Sequence, residues 1–367
     1  MSVGAGADGG ERPRGVVRAF GRRARPSVTL DVRTAYDFVV SLADQTAPTD
    51  EILPEHRAWL EAARDAVRAE PALAGVDAEV WELAWTTALH AIDRPEVRSA
   101  ADLVALVEEL SPVVVARALF TDELADPAMR SHVERALAGD EVAAGSLATL
   151  IDEPDETESG WCAISRMAAI RHPERFKMQL AALVNAWLPH FATIEADVER
   201  MIRRDVELRA NDIATLEPFA LVERLTEGIR TLPERGVRRI ILAPTYFGRP
   251  FNRLLAGDDF RFYAYPIADA AIEDLDPAAP PVPLERFHRA LGDGSRLRIV
   301  KLLSTRDRYL TEIANELGLS KPTVKHHLAQ LRAAGLATVT EQGALMYWSL
   351  RRQRLDEAHD ELRRYLG

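Results

Sequence analysis

Two short helical segments joined by a glycine turn constrain the fold of this chain more than any other feature of its sequence. Apolar residues recur at helical spacing in the segment 309–317, and Gly318, which tolerates a left-handed conformation, ends it. Ser320 is a favoured N-cap residue, and Pro322 suits the first turn of a second helix. Leu319 fills the turn between the two segments. The spacing predicts a helix-turn-helix, whose second helix enters the major groove of DNA.

The second helix of this motif has two different faces. Val324, Leu328 and Leu331 recur at i, i+4 and i+7, which predicts the side that packs on the domain core. The residues off this stripe are polar and lie near the helix N-terminus, where the helix dipole favours phosphate. We therefore expect DNA contacts from Ser320, Lys321, Thr323, Lys325, His326 and His327.

The flanking segments complete a winged helix. Two amphipathic helices precede the motif, the second with Ser295 as its expected N-cap and Leu297 among its inward residues. After the motif, residues 337–350 alternate as two strands about a Gln342-Gly343 turn, and a last helix closes the chain. The further DNA contacts expected from the wing and its end are Gln342, Arg351 and Arg352.

The charge of the chain is divided unevenly along its length. The net charge is −11, which by itself argues against nucleic acid. Counting by segment gives +4 for residues 1–26, −20 for residues 27–283 and +5 for residues 284–367. A basic C-terminal module thus follows a strongly acidic body, and this asymmetry indicates DNA binding at one end.

The order of predicted elements gives a mainly α fold with four parts. Residues 1–26, rich in Gly and Arg, are predicted to be a disordered basic arm. Residues 27–270 are predicted to form an acidic, mostly helical domain for dimerisation or effector binding, with a small sheet or hairpin from 237–247 and 260–267. A Pro-rich linker spans 271–283 and carries Pro277, Pro280, Pro281 and Pro283. The winged helix-turn-helix domain occupies 284–367.

Predicted helices in the acidic region follow the apolar period closely. The longest predicted helix, 173–207, contains Pro189, where we expect a kink or a break. The predicted ranges are 32–44, 54–68, 78–91, 100–109, 112–124, 127–138, 140–150, 160–170, 173–207 and 216–228.

The C-terminal residues resemble the ArsR-like winged-helix transcriptional regulators. The resemblance runs through ALGDGSRLRIVKLL (290–303), LTEIANELGLSKPTVKHHLAQLRAAGL (310–336) and MYWSL (346–350). It implies a homodimer on two-fold DNA sites that mostly represses transcription. The whole chain is also similar to long actinobacterial-type regulators in which a helical region precedes this module, and APTYFGRP (243–250) resembles their strand-proline-aromatic motif.

Two departures from the family pattern bear on function. Metal-sensing members carry a cysteine pair where this chain has Tyr309 and Thr311, so no metal and no other cofactor is expected. The wing tip reads Gln342-Gly343-Ala344 and lacks the arginine that family wings often carry, which weakens the expected minor-groove contact. The single Cys162 excludes an internal disulfide framework and fits the cytoplasm, and no apolar run is long enough to cross a membrane.

Aromatic residues of the acidic region allow two interpretations. Trp81 and Trp85 share a helical face, and Trp187 and His190 cluster on another. They form either hydrophobic core or a pocket for a small-molecule effector closed by a few polar groups.

Together these features predict a sequence-specific DNA-binding regulator, a dimeric repressor that responds to a ligand and acts on double-stranded DNA. The alternative is a protein-interaction module that uses the winged helix and the acidic body to bind a partner. No phosphate loop, nucleophile elbow or His-Glu-x-x-His motif is present, so the sequence does not predict an enzyme.

Overall fold

The computed structural model describes residues 26–42, 51–121, 124, 126–151, 163–234, 236–257, 259–272, 280–342 and 345–367. The predicted basic arm, apart from Pro26, and Cys162 lie outside these residues, as does most of the predicted linker. No helix among the described residues is long and apolar enough to cross a membrane.

Most of the acidic region is helical, as predicted, and several helix boundaries agree with the apolar period. The helices are α1 Thr34–Leu42, α2 Pro54–Arg68, α3 Ala78–Leu83, α4 Ala88–Ala91, α5 Ala100–Glu109, α6 Pro112–Arg117, α7 Pro127–Leu137, α8 Glu141–Ile151, α9 Ala163–Arg171, α10 Pro173–Phe191, α11 Glu195–Leu208, α12 Ala210–Thr215 and α13 Pro218–Leu225. Short 3-10 turns cover Pro71–Leu73, Ala84–Thr87, Ala118–Phe120 and Asp269–Ala271.

The predicted long helix with an internal proline is broken in two. α10 continues through Pro189 to Phe191, and α11 begins at Glu195. The chain therefore breaks one turn after the proline rather than at it. Proline removes one donor from the helix ladder, and the remaining bonds carry the helix a few residues further.

A four-stranded sheet follows the helices, with a strand from the start of the chain that the sequence did not predict. Its strands are β1 Ser27–Leu30, β3 Arg239–Thr245, β4 Arg253–Ala256 and β5 Phe260–Pro266. The order is β1-β3-β5-β4, with β1, β3 and β5 parallel and β4 antiparallel to β5. The two predicted strands are thus parallel neighbours and not a hairpin, and a turn near Gly257 joins β4 to β5.

Both faces of this sheet are buried, which suits its parallel strands. The side chains of Ile241 and Phe262 belong to the core of the helical region. The alternate residues, Ile240 and Tyr263, belong to a second core that includes the C-terminal domain. The sheet therefore lies between the helices of the acidic region and the winged helix.

The C-terminal domain has the predicted winged-helix order. Its helices are α14 Val282–Leu291, α15 Gly294–Leu303, α16 Leu310–Leu317, α17 Lys321–Ala333 and α18 Gln353–Leu366. Its own strands are β6 Arg308–Tyr309, β7 Ala337–Gln342 and β8 Leu345–Leu350, where β7 and β8 form the wing.

The sheet of the wing contains one more strand, from the other side of the predicted linker. β2 Ile229–Thr231 pairs in parallel with β7, which gives the order β2-β7-β8-β6. α13 packs with β2, and Leu221, Val222 and Ile229 share the winged-helix core. The described residues on the two sides of the linker thus share one hydrophobic core.

Two expectations within the C-terminal domain are wrong. Asp293 rather than Ser295 caps α15, since its carboxylate accepts a hydrogen bond from the Arg296 backbone N–H at 2.9 Å. Leu297 is 49% exposed, because the buried stripe of this helix runs through Ile299 and Leu303.

Candidate nucleic-acid interface

The turn between α16 and α17 has the geometry that its sequence predicts. Gly318 takes a left-handed conformation with φ 66° and ψ 33°, and the N–H of Leu319 donates to the Ala314 carbonyl at 3.0 Å. The hydroxyl of Ser320 accepts a hydrogen bond from the Thr323 N–H at 3.3 Å and caps α17. Local sequence therefore fixes the angle at which α17 leaves the turn.

α17 divides into a buried and an outer face, as expected. Val324, Leu328 and Leu331 are fully buried in the core. Residues of the other face lie at the N-terminal half of the helix, where the dipole is positive. On that face Thr323 and His326 are exposed and Lys321 and Lys325 are half-buried. The arrangement presents two lysines and a histidine on the side of the helix that the core does not cover.

The hydroxyl groups at the start of α17 have a structural role. The Ser320 and Thr323 side-chain oxygens lie 2.7 Å apart and share a hydrogen bond. Because the cap engages both hydroxyls, the cations that follow are the better candidates for phosphate contacts.

The two adjacent histidines have different environments. His326 is exposed, whereas His327 is half-buried and its Nδ1 is buried without a hydrogen-bond partner among the described residues. Burial lowers the pKa of His327, although the nearby Asp293 raises it. The two rings are 6.2 Å apart and tilted by 56°, so they face different directions. His326 is the member of the pair that faces solvent.

The predicted contacts beyond α17 lie in the wing and directly after it. Arg351 donates from one guanidinium nitrogen to both carboxylate oxygens of Glu357, at 3.0 and 3.1 Å. Arg352 is exposed and donates to the Ser304 carbonyl. Gln342 is the last residue of β7 and pairs in register with Leu345 across the wing. These residues flank the wing, but both arginines already have intramolecular partners.

Tyr309 and Thr311 occupy the positions where the family resemblance implies a cysteine pair in metal-sensing members. Tyr309 pairs in register with Tyr347 across β6 and β8, and their rings lie 4.3 Å apart. The two hydroxyl groups form a hydrogen bond. Within the described part of the chain, no three His, Cys, Asp or Glu side chains group as metal ligands.

The four candidate effector residues lie in or beside the core of the helical region. Trp81 and Trp187 contact edge to face at 6.5 Å, and the Trp187 indole N–H donates to the Ser41 hydroxyl at 2.9 Å. His190 is half-buried against Trp187, with ring centroids 6.3 Å apart. Trp85 is buried beneath the guanidinium of Arg253, 5.8 Å from its ring centroid. Three of the four thus form one aromatic cluster.

A buried ionic network joins the winged helix to the helical region, and sequence reasoning missed it. Arg286 of α14 donates from Nε to Glu51 Oε1 at 2.9 Å, and it also approaches Asp269 Oδ1 at 3.4 Å. Arg249 donates to the Glu51 carbonyl at 2.9 Å and to the Asp269 carboxylate. Burial opposes ionisation of Asp269, but Arg249 and Arg286 hold its pKa below the ordinary value. These charges are scattered along the sequence, so no local motif marks them.

A second missed group is the carboxylate of Asp37, which is fully buried in the first turn of α1. It accepts hydrogen bonds from the backbone N–H groups of Tyr246 and Phe247 at 2.8–3.0 Å. Burial raises its pKa to about 7, and these hydrogen bonds only partly oppose that rise. Asp37 therefore holds the loop that follows β3.

Comparison with known proteins identifies a family for the C-terminal region. A family model described as "Bacterial regulatory protein, arsR family" matches residues 293–339. The HTH-type transcriptional regulator CmtR of Mycobacterium tuberculosis is 37% identical over 79 residues, which cover 22% of this chain and 67% of that protein. The transcriptional repressor SdpR of Bacillus subtilis is 31% identical over 67 residues, or 18% of this chain and 74% of that protein.

A third relative is also named as a transcriptional regulatory protein. The cadmium resistance transcriptional regulatory protein CadC homolog of Staphylococcus aureus is 32% identical over 71 residues, or 19% of this chain and 59% of that protein. No solved structure matches the chain.

Proposed function

Because the chain belongs to the ArsR family of bacterial regulatory proteins, we propose that it is a dimeric transcriptional repressor that releases DNA in response to a ligand. The observation that carries the proposal is the division of α17. Its stripe of Val324, Leu328 and Leu331 is fully buried, and the outer side of its N-terminal half carries Lys321, Lys325 and His326. This helix would lie in the major groove with its cations toward bases and phosphates.

The charge distribution supports this orientation. The winged-helix segment 284–367 carries a net +5, and residues 27–283 carry a net −20. The acidic body repels DNA phosphate, so it restrains non-specific binding and directs contact to the basic end.

Dimerisation is proposed through the C-terminal helix. α18 buries Arg354 and Ala358 against the domain, whereas Leu355 and Leu366 on the neighbouring stripe are 40% and 74% exposed. An amphipathic helix with an exposed apolar stripe favours association with a second copy. The two copies would present two α17 helices to a two-fold DNA site.

Repression and ligand response rest on different observations. Among the relatives, SdpR is named a transcriptional repressor, which favours repression here. The effector region is proposed around Trp81, Trp85, Trp187 and His190, where aromatic rings would bind an apolar ligand. Since the β1-β3-β5-β4 sheet packs on both cores, a shift of the helices would reach the winged helix through it. We place the protein in the cytoplasm, with DNA as its partner.

A gel-shift titration with DNA from upstream of the chain's own gene, at physiological salt, tests the proposal. The full chain should form a specific complex that excess unrelated DNA does not displace. No specific complex over a panel of candidate ligands would overturn the proposal and favour the alternative, a protein-interaction module.

A further inference from the structure

The loop that joins β3 to β4, residues 246–252, ends at a side chain that contacts the start of β2. Asn252 is 9% exposed, and its amide nitrogen Nδ2 donates to the Thr226 carbonyl at 2.8 Å. Thr226 is the C-cap of α13, where the helix offers a carbonyl no partner of its own. The amide of Asn252 therefore satisfies this carbonyl at the point where the chain leaves α13 for β2.

The turn at this point, residues 226–228, has an unusual backbone. Among the described residues other than glycine, only Glu227 has a positive φ, 56°, in the left-handed region that favours glycine. The Gly228 N–H donates to the Glu223 carbonyl at 2.9 Å, which makes the turn a Schellman motif with glutamate at the position where glycine is usual. Contacts from outside the turn maintain such a conformation, and the amide of Asn252 supplies one of them.

The 226–228 turn leads directly into the strand that supports the wing. The Gly228 carbonyl accepts a hydrogen bond from the Val339 N–H at 3.0 Å, and a Cβ at Gly228 would lie only 3.0 Å from Thr338 Cγ2. β2 then pairs with residues 339–341, directly before the predicted wing contact Gln342. A shift of the turn would therefore move β2 and the strand of the wing with it.

The other end of the 246–252 loop is anchored in the helical region. The Asp37 carboxylate of α1 accepts hydrogen bonds from the backbone N–H groups of Tyr246 and Phe247. The Tyr246 hydroxyl accepts a hydrogen bond at 2.7 Å from the N–H of Leu53, the N-cap of α2. Arg249, in the middle of the loop, belongs to the buried ionic network. One loop thus links α1 and α2 to the turn that precedes β2.

We propose that Asn252 is a positioning residue for DNA binding: it holds the 226–228 turn, and through this turn the helical region sets the position of the wing on the operator. The proposal rests on the proposed function, since the wing acts only where α17 binds DNA. Asn252 itself contacts no DNA and acts through the backbone of the turn and β2. A movement of the helical region that displaces the loop would withdraw the amide of Asn252 and release the wing.

The test compares full-length variants on an operator duplex. Asn252→Ala removes the amide donor. The matched control is Gln179→Ala in α10, because Gln179 is 7% exposed and its amide also donates to a backbone carbonyl, that of Gly75, at 2.8 Å. Two double variants combine Asn252→Ala with Glu227→Gly, which favours the left-handed turn, or with Glu227→Gln, which removes the same charge but keeps a side chain.

Four properties are measured for each protein: operator affinity, hydroxyl-radical protection of the operator, urea unfolding and amide exchange. Asn252→Ala should bind the operator about three- to tenfold more weakly than the native chain, the equivalent of about one hydrogen bond. Protection of the DNA beneath the wing should be lost, whereas protection by α17 should remain. Exchange at residues 337–342 should be faster than in Gln179→Ala, while exchange at residues 321–333 should match that control.

The remaining variants separate positioning from stability. Gln179→Ala should lose a similar amount of stability in urea and keep the native operator affinity. The double variant with Glu227→Gly should recover most of the affinity and slow the exchange at residues 337–342 again, because glycine adopts the turn without the amide of Asn252. The double variant with Glu227→Gln should not recover either property.

Several results would overturn the proposal. Native affinity in Asn252→Ala, or equal losses of affinity in Asn252→Ala and Gln179→Ala, would mean that Asn252 contributes to stability alone. Equal affinities of the two double variants would mean that Asn252 does not act through the turn. Operator recognition stands in all of these cases. If the native chain forms no specific complex, the proposed function fails and this proposal fails with it.

Discussion

Arg286 of the winged helix donates to Glu51 of the helical region at 2.9 Å, across 235 positions of sequence. Both side chains are nearly buried, and Arg249 and Asp269 complete the network. This contact ties the first helix of the DNA-binding domain to the acidic body. A displacement of Glu51 or Asp269 would therefore act directly on α14 through Arg286.

Replacing Arg286 should destabilise the protein strongly. Arg286→Gln leaves two buried carboxylates facing Arg249 alone, and removal of one partner from a buried ion pair costs about 3–5 kcal/mol. The control is Arg289→Gln on the same helix, whose partner Glu285 is exposed, with an expected loss below about 1 kcal/mol. Urea unfolding measures both. Equal losses in the two variants would show that the network contributes no more than a surface ion pair.

The strand β2 should be part of the winged-helix fold. Ile229 is fully buried in the winged-helix core, and the Val339 N–H donates to the Gly228 carbonyl at 3.0 Å. Ile229→Ala should cost about 2–5 kcal/mol and speed amide exchange along β7. Leu232→Ala, at a residue that is 42% exposed, serves as the control. Unchanged exchange at residues 337–342 in Ile229→Ala would contradict the shared core.

The pH dependence of stability should report on Asp37. Its folded pKa of about 7 lies above the ordinary value of 3.8, so the folded state binds the proton more tightly. The contribution to stability is full below about pH 4 and is lost as the pH rises through about 7. The free energy of unfolding of the native chain, relative to Asp37→Asn, should therefore fall over this range. A difference that stays constant with pH would mean that Asp37 has an ordinary pKa.

The exposed stripe of α18 should carry the dimer contact. Leu355→Glu places a charge on this stripe and should shift the protein from dimer to monomer in sedimentation equilibrium. Val142→Glu, on an exposed position of α8, is the control and should leave the dimer unchanged. If Leu355→Glu remains dimeric, the interface lies elsewhere.

A lysine of α17 should contribute to operator binding mainly by contacting DNA phosphate. Lys325→Ala should weaken operator binding and reduce the salt slope by about 1, because one cation no longer displaces counterions. Lys177→Ala is the matched control, since Lys177 lies in the helical region and donates to the Glu108 carbonyl. Fluorescence anisotropy with an operator duplex measures both variants. An unchanged affinity and slope for Lys325→Ala would place the docking face elsewhere.

Local chemistry explains which features could be predicted from the sequence. The Gly318 turn, the Ser320 cap and the buried Val324, Leu328 and Leu331 depend on neighbouring residues, and all agree with the structure. The predicted N-cap of α15 was wrong because Asp293 and Ser295, two positions apart, are both favoured N-cap residues.

Features that depend on long-range pairing could not be predicted. β2 has three residues, too few for a periodic signal, and its partner β7 lies about 110 positions later. Arg249 and Asp269 meet because they follow the parallel neighbours β3 and β5, and Glu51 and Arg286 reach them from segments distant in sequence. The same folding places Pro26 beside Thr231 and Leu232, at the end of β2.

The most direct test of the central claim, that α17 reads DNA, is genome-wide mapping of bound DNA with the native chain and with a Lys321→Ala, Lys325→Ala variant. The account predicts discrete sites for the native chain that share a two-fold symmetric motif, and loss of these sites in the variant. Enrichment of the same regions by both proteins, or no enrichment by the native chain, would contradict it.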